Sequence, residues 1–293
     1  SCAPQLKQAN AALIEAAGRE LQRGVSAPLV ADELCARGLA KALQFLYHPY
    51  DPPERDTVDS LTYGEISPKA FLVAFRSAKR HLDGPVRFFD LGSGRGHTVF
   101  MAALVDEAVS ATGVEILLSH HDCATLAASK YRPRSEGRGV VEFVKADVAT
   151  WHDWADADLV FVNWICFDRD LMETVSKVAH DRMRPGAVLV TFTTAIQSTR
   201  FVVVDKIRVP DLPWGGPCTI LVHGVLTPED HRRSVATGEP TPFDADQAIK
   251  LPRPGESCDL SDAMGSMLVG AVSEEDASWP GRPSSDLDLS REG

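Results

Sequence analysis

The chain is short of cations, and none of its cysteines comes in a metal-binding pair. Of 293 residues, 30 are Lys or Arg against 41 Asp or Glu, a formal net charge of -11. A general affinity for nucleic acid or an anionic membrane needs clustered cations, so neither partner is expected. The six cysteines, Cys2, Cys35, Cys123, Cys166, Cys218 and Cys258, include no C-x-x-C pair. Neither a zinc site nor a disulfide scaffold is indicated, and a reducing compartment is expected. No apolar run approaches the ~20 residues that span a bilayer, and the start lacks a signal-peptide core, so the sequence predicts a soluble, intracellular chain. It opens at Ser1 without a methionine, which leaves any preceding targeting segment open. No internal repeat is present.

What the sequence does contain is concentrated in one stretch, Phe88-Phe89-Asp90-Leu91-Gly92-Ser93-Gly94-Arg95-Gly96-His97. A strand-like run from Pro85 to Phe89 ends in an acid, passes through a glycine-rich turn, and continues as a helical pattern from Thr98. Glycines at alternating positions let the backbone approach a ligand that side chains would hold away. The sixth position of the dinucleotide fingerprint is His97, and no Gly-Lys-Ser/Thr follows, so neither a pyrophosphate cradle nor a Walker loop fits. A tight strand-to-helix turn without a ligand is the plain alternative. The remaining D-x-G-x-G-x-G pattern resembles motif I of the class I S-adenosylmethionine (SAM) methyltransferases. The resemblance implies that Asp90 holds the methionine amino group and that Gly92, Ser93 and Gly94 face the cofactor.

A second acid, Glu115, closes a strand expected over 112–116. It lies about as far past the glycines as the carboxylate that takes both ribose hydroxyls in a Rossmann-like fold. A surface glutamate is the competing reading. The rest of the chain fits an alternating α/β order. Residues 5–23 carry apolar positions at helical spacing, a second helix starts at Ala27-Pro28, and Gly38 separates it from a third over 39–47. Residues 48–62 read as a loop, and a helix runs on from Pro68.

After the glycine turn a helix is expected over 98–109 and another over 119–130. His120, His121, Asp122 and Cys123 do not converge on a metal, because helix neighbours point about 100° apart, and they read as helix surface. A strand over 140–144 leads to Asp147, which either caps the next turn or accepts from an adenine amino group. An almost continuous apolar strand, 158–163, ends in Asn163. A carboxamide at that edge can accept from an amine and turn its lone pair toward a methyl donor. A helix over 168–183 and strands over 187–192, 201–209 and 218–224 follow, the last two without an intervening helix, which predicts an antiparallel end to the sheet. Trp214, in a Gly/Pro loop, either covers the sheet edge or walls a channel for an amine.

Together, Tyr47-His48 before a Pro/Asp loop, Tyr63-Gly64-Glu65, the Asp90 turn, Gly113-Val114-Glu115, Asn163 with Phe167, and Trp214 before a strand ending at His223 resemble a known catalytic domain. It is that of the disruptor-of-telomeric-silencing class, the non-SET histone lysine methyltransferases. The likeness covers roughly 45–224. It implies an α/β, Rossmann-like class I methyltransferase sheet, mostly parallel with an antiparallel last strand and an N-terminal helical subdomain, and SAM as cofactor. The acceptor it implies is a protein lysine, in a core histone by analogy, and then a nuclear location. By the same resemblance Tyr63 and Glu65 contact the methionine end, Asp90 and Gly92 the cofactor, Glu115 the ribose and Asp147 the adenine. Asn163, Phe167 and Trp214 line the lysine channel.

The chain departs from the family pattern at Ile66, His97, Val148 and Trp164, and it lacks the lysine-rich segment that holds nucleosomal DNA. A methyltransferase acting on RNA or a small molecule, with the channel reshaped by Trp164, stays open, as does a non-catalytic scaffold. Three regions are expected: a helical subdomain and covering loop over 1–67, the methyltransferase domain over 68–226, and an acidic Pro/Ser-rich tail over 227–293. The tail's composition predicts disorder. Within it, 261–272 has the spacing of a short helix that docks on the domain or a partner.

Overall fold

A computed structural model describes residues 27–47, 66–107, 109–133, 138–209 and 218–237. The helix expected over 5–23, the loop 48–62, Tyr63, Glu65, Arg134, Trp214 and the 261–272 segment lie outside the described residues.

Helix α1 (Ala27–Tyr47) and α2 (Pro68–Lys79) precede β1 (Val86–Leu91), α3 (His97–Val105), β2 (Val109–Glu115), α4 (Leu118–Lys130), β3 (Val141–Lys145) and β4 (Leu159–Val162). Then come α5 (Arg169–Arg182), β5 (Val188–Phe192), β6 (Phe201–Val209), β7 (Cys218–Val225) and α6 (Pro228–Thr237). The seven strands form one sheet in the order β3-β2-β1-β4-β5-β7-β6. All pairs from β3 to β5 are parallel, and β7 is antiparallel to both β5 and β6. This is the Rossmann-like class I methyltransferase sheet, with helices on its N-terminal side of the chain.

Because both faces of the sheet are covered, the central strands β4 and β5 are buried at every position and almost wholly apolar. Alternate residues feed two cores. Phe88, Phe161 and Phe192 join Phe71 and Phe75 of α2 on one face. Phe89, Val160 and Leu189 join Trp154, Trp164 and the α5 residues Val175 and Ala179 on the other. The rings of Phe71 and Phe161 lie 5.6 Å apart and those of Phe161 and Phe192 5.3 Å apart in a near-perpendicular contact, each worth about 0.5–1.5 kcal/mol beyond the area it buries. Ser77 of α2 donates to the buried Asp205 of β6, and Arg80 reaches the same oxygen at 3.1 Å, which ties α2 to the far edge of the sheet.

Four boundaries differ from expectation for visible reasons. α1 runs unbroken through Gly38, because one glycine costs a helix about 1 kcal/mol without ending it, and the buried positions Ala36, Leu39, Leu43 and Leu46 stay in phase across it. The helix after the glycine turn stops at Val105, since Val109 is already paired in register with Val86. The fourth strand ends at Val162, and Asn163 starts a short 3-10 turn, Trp164–Cys166. The stretch assigned to the tail begins with α6, whose start is fixed by Thr227: its hydroxyl accepts from the Asp230 amide at 3.1 Å and donates to the Asp230 carboxylate at 2.7 Å.

Candidate functional site

The order of the strands reverses at β1, between β2 on one side and β4 on the other, and ligands of open α/β sheets bind beyond the carboxyl ends of the strands at such a point. Register brings the chemistry there. Asp90 pairs across the sheet with Gly113 and Phe161, and the next residues, Leu91, Val114 and Val162, lead to the glycine turn, Glu115 and Asn163. A cleft of about 660 Å³, within the range of small-molecule sites, opens at this level. Asp90, Glu115, Asp147, Asn163 and Phe167 all line it, as do Gly92, Ser93 and Gly94. The two acids therefore face one space.

Gly92, Gly94 and Gly96 all adopt left-handed φ, 72°, 54° and 87°. A Cβ on Gly96 would stand 2.4 Å from the ring of Phe143. Gly113, in the middle of β2, is required for a different reason: a Cβ there would lie 2.6 Å from Ser93 Oγ and 2.8 Å from Phe143. The turn is thus pressed onto β2. The signal in the sequence was a glycine inside a strand, which marks a close backbone approach.

The amides of Ser93 and of the turn's three glycines are spoken for. Gly92 and Ser93 donate to the Val114 carbonyl at 2.9 and 3.0 Å, Gly96 to Ser93 at 2.8 Å, and Gly94 to Glu115 Oε2 at 2.7 Å. An anion nest needs such amides free. Here acids line the cleft instead: Asp90, Glu115, Asp147, Asp168 and Asp170, with His97 and His120 but no Lys or Arg among its described residues. The cleft suits a cation and hydroxyl donors better than a phosphate.

Asp90 is 3 % exposed, and burial pushes its carboxyl up to about 7. The hydroxyl of Thr98 donates to it and opposes that rise, while the charge of Glu115 adds to it. Glu115 also accepts the Leu117 amide on its other oxygen at 2.8 Å. Asp147 Oδ1 accepts the Ala149 amide at 2.8 Å, so it caps the next turn and lines the cleft at once. Asn163 Oδ1 is buried and has no hydrogen-bond partner among the described residues. The ring of Phe167 rests on Gly92, 3.2 Å from where a Cβ would be. Ile116 and Ile165, 52 % and 42 % exposed, line opposite strand ends of the cleft.

Two residues stand differently from expectation. His120 is not helix surface: with Ala124 and Ala127 it forms the buried stripe of α4, and it lines the cleft. Trp164 does not reshape the cleft; it turns into the core, 2 % exposed, with its indole N–H shared between the carbonyls of Phe192 and Thr194. Of the remaining residues read from the sequence, Tyr63, Glu65 and Trp214 lie outside the described residues. Ile66, just after that gap, is buried at the cleft wall.

The family described as "Histone methylation protein DOT1" matches residues 56–208. Among curated proteins, the histone-lysine N-methyltransferase, H3 lysine-79 specific, of Candida albicans is 29% identical over 145 residues, which are 46% of this chain and 10% of that protein. The chain thus spans about a tenth of that relative's length. Among solved structures, a putative RNA methyltransferase from Pyrococcus horikoshii aligns at a TM-score of 0.48 and 13% identity, over 66% of this chain and 98% of that one. The N-methyltransferase NodS from Bradyrhizobium japonicum WM9 aligns at 0.44 and 12%, over 54% and 96%.

Proposed function

Because the chain belongs to the family described as histone methylation protein DOT1, which matches a little over half of its residues, we propose that its cleft binds SAM and directs methyl transfer to an amine nitrogen. The observation that carries this is the meeting of Asp90 and Glu115 above a turn of three left-handed glycines whose amides are already paired. When bound, SAM would supply a methyl group to the lone pair of a neutral amine, a carbon–nitrogen bond forming in line as the carbon–sulfur bond breaks, with its electrons left on sulfur and the amine's proton released to water.

The chain's own residues bind and orient. Asp90, ionised, pairs with the cofactor's ammonium group. Glu115 spends one lone pair of each oxygen on Gly94 and Leu117, and a carboxylate has about four such sites, which leaves two for ribose hydroxyls. Asp147 keeps an oxygen for the adenine amino group. Phe167 and Phe161 give the cleft an apolar wall that favours the neutral, nucleophilic amine. Asn163 Oδ1, buried and unpartnered, accepts from that amine and aims its lone pair.

For the acceptor, the family match and the acid-lined cleft favour a basic protein side chain, a lysine in a histone or another protein. The second reading is a small-molecule or RNA acceptor. The lack of a lysine-rich tract for nucleosomal DNA favours the small molecule, while the same excess of acids counts against a polyanionic RNA. Calorimetric titration with S-adenosylhomocysteine (SAH) tests the donor half: saturable binding is expected, and none at millimolar ligand would end both readings. Labelled SAM offered to core histones, nucleosomes and total RNA tests the acceptor; label in RNA alone would overturn the lysine reading.

A further inference from the structure

We propose that Trp164 and the left-handed turn at Thr193 form a latch that sets where Asn163 stands at the cleft, which makes Trp164 a positioning residue. Its role in methyl transfer rests on the function proposed above; its geometry does not.

Among the described residues nothing bonds the buried Oδ1 of Asn163, so its carboxamide is not fixed from that side by them and the backbone does more of the work. That backbone is the turn from Asn163 to Phe167, closed by the Phe167 amide on the Trp164 carbonyl at 2.9 Å. The next side chain, Trp164, points the other way. Its Nε1–H meets two carbonyls beyond the end of β5, Phe192 at 3.2 Å and Thr194 at 3.1 Å.

Those two carbonyls converge because Thr193 has φ 65°, the one positive φ outside glycine among the described residues. The Thr194 amide bonds back to Phe192 at 2.6 Å, a three-residue turn. A β-branched residue is costly in this conformation, and strain of this kind persists only where the surroundings over-determine it. They do: the Thr193 amide donates to Thr219 at 2.7 Å, Thr191 Oγ1 donates to the Thr194 carbonyl at 2.8 Å, and the Thr193 hydroxyl lies 3.3 Å from Cys218 Sγ. Packing alone accounts for the indole ring. It does not account for a strained turn whose two carbonyls meet the ring's single donor.

The turn therefore joins the exit of β4, with Asn163 and Phe167, to the start of β7 at Cys218.

The test reads the Asn163 side-chain amide by NMR, identified by its absence in N163A, first without ligand and then with SAH. In the wild type two proton shifts displaced from those of free asparagine are expected. In W164F, which keeps an aromatic ring and loses the donor, they should collapse toward those of free asparagine, and turnover of labelled SAM should fall about fivefold, the worth of one neutral hydrogen bond, with SAH affinity changed less than that. T191V, nearly isosteric, removes the support of the Thr194 carbonyl and should shift the signal the same way; it decides the matter if W164F does not fold. An Asn163 signal unchanged in the folded variants overturns the latch. A wild type that fails to bind SAH overturns the function instead, and the ligand-free spectra still judge the latch.

Discussion

Glu115 Oε2 accepts the amide of Gly94 at 2.7 Å, so the acid at the end of β2 also holds the glycine turn in place. Charge and geometry at this residue can be separated. E115Q keeps an oxygen acceptor for Gly94 or Leu117 and loses the charge; E115A loses the strut as well. Hydrogen bonds to a charged group contribute about 1.5–3 kcal/mol each, so loss of the two to the ribose hydroxyls in E115A should weaken SAH binding at least ~100-fold, and loss of the strut should lower the melting temperature, with E115Q intermediate in both. Calorimetry and thermal melts check this, and equal losses in the two variants would contradict the double role.

Asp90 makes stability and binding depend on pH in opposite ways. Its carboxyl sits at about 7 in the fold against 3.8 unfolded, so its favourable contribution is full below the unfolded value and is lost as pH rises through 7. At about 1.36 kcal/mol per pKa unit this is about 4 kcal/mol for the ligand-free protein. A cationic ligand favours the ionised form, so affinity should rise by up to tenfold per unit toward pH 7 and level off above it. Urea melts and SAH or SAM titrations from pH 5 to 8.5 read both trends. D90N, which leaves His97 and His120 in the cleft, should flatten them; a D90N profile that tracks the wild type would clear Asp90 of the effect.

The topology and the first two acids were legible because they depend on local pattern. An apolar run ending in Asp90 and a glycine turn can only place that acid at a sheet edge, and β2 follows at once with Glu115. What the sequence hid depends on tertiary packing. The spacing of α4 gave no hint that its buried stripe begins at His120, because that face is set by the neighbouring strands. Trp164 reads as an aromatic at the mouth of a site until the indole is seen bonding beyond β5. Gly38 reads as a break because propensity is local, whereas the phase of Leu39 and Leu43 with Ala36 is set by packing on α2.

The glycines separate into those that packing demands, such as Gly96 and Gly113, and those that it does not, such as Gly38. G96A and G113A would drive a Cβ to 2.4 Å and 2.6 Å from its nearest neighbour, and Gly96 is also left-handed. Each should cost about 1–3 kcal/mol or more and disturb SAH binding, because Phe143 and Ser93 must move. Gly38 meets nothing within 4 Å and lies inside α1. G38A should stabilise by about 0.5–1 kcal/mol and leave binding unchanged. Denaturant melts of the three variants decide it, and a destabilised G38A would mean that α1 needs its glycine for an approach by other parts of the chain.

Asn163 separates binding of the donor from use of it. Its Oδ1 has no hydrogen-bond partner among the described residues, so removing it breaks no bond seen there, and N163A should keep its melting temperature within about 2 °C, the shift expected for up to about 1 kcal/mol. If the carboxamide orients the incoming amine, the loss appears when the acceptor is in place: turnover of labelled SAM onto the acceptor found by the screen should fall roughly 100-fold, with SAH affinity changed less than about fivefold. N163D tests the sign of the charge. Its carboxylate would favour a protonated, non-nucleophilic amine, so it should also be slow and recover as pH rises. Equal losses of SAH binding and turnover in N163A would place Asn163 with the cofactor instead of the acceptor.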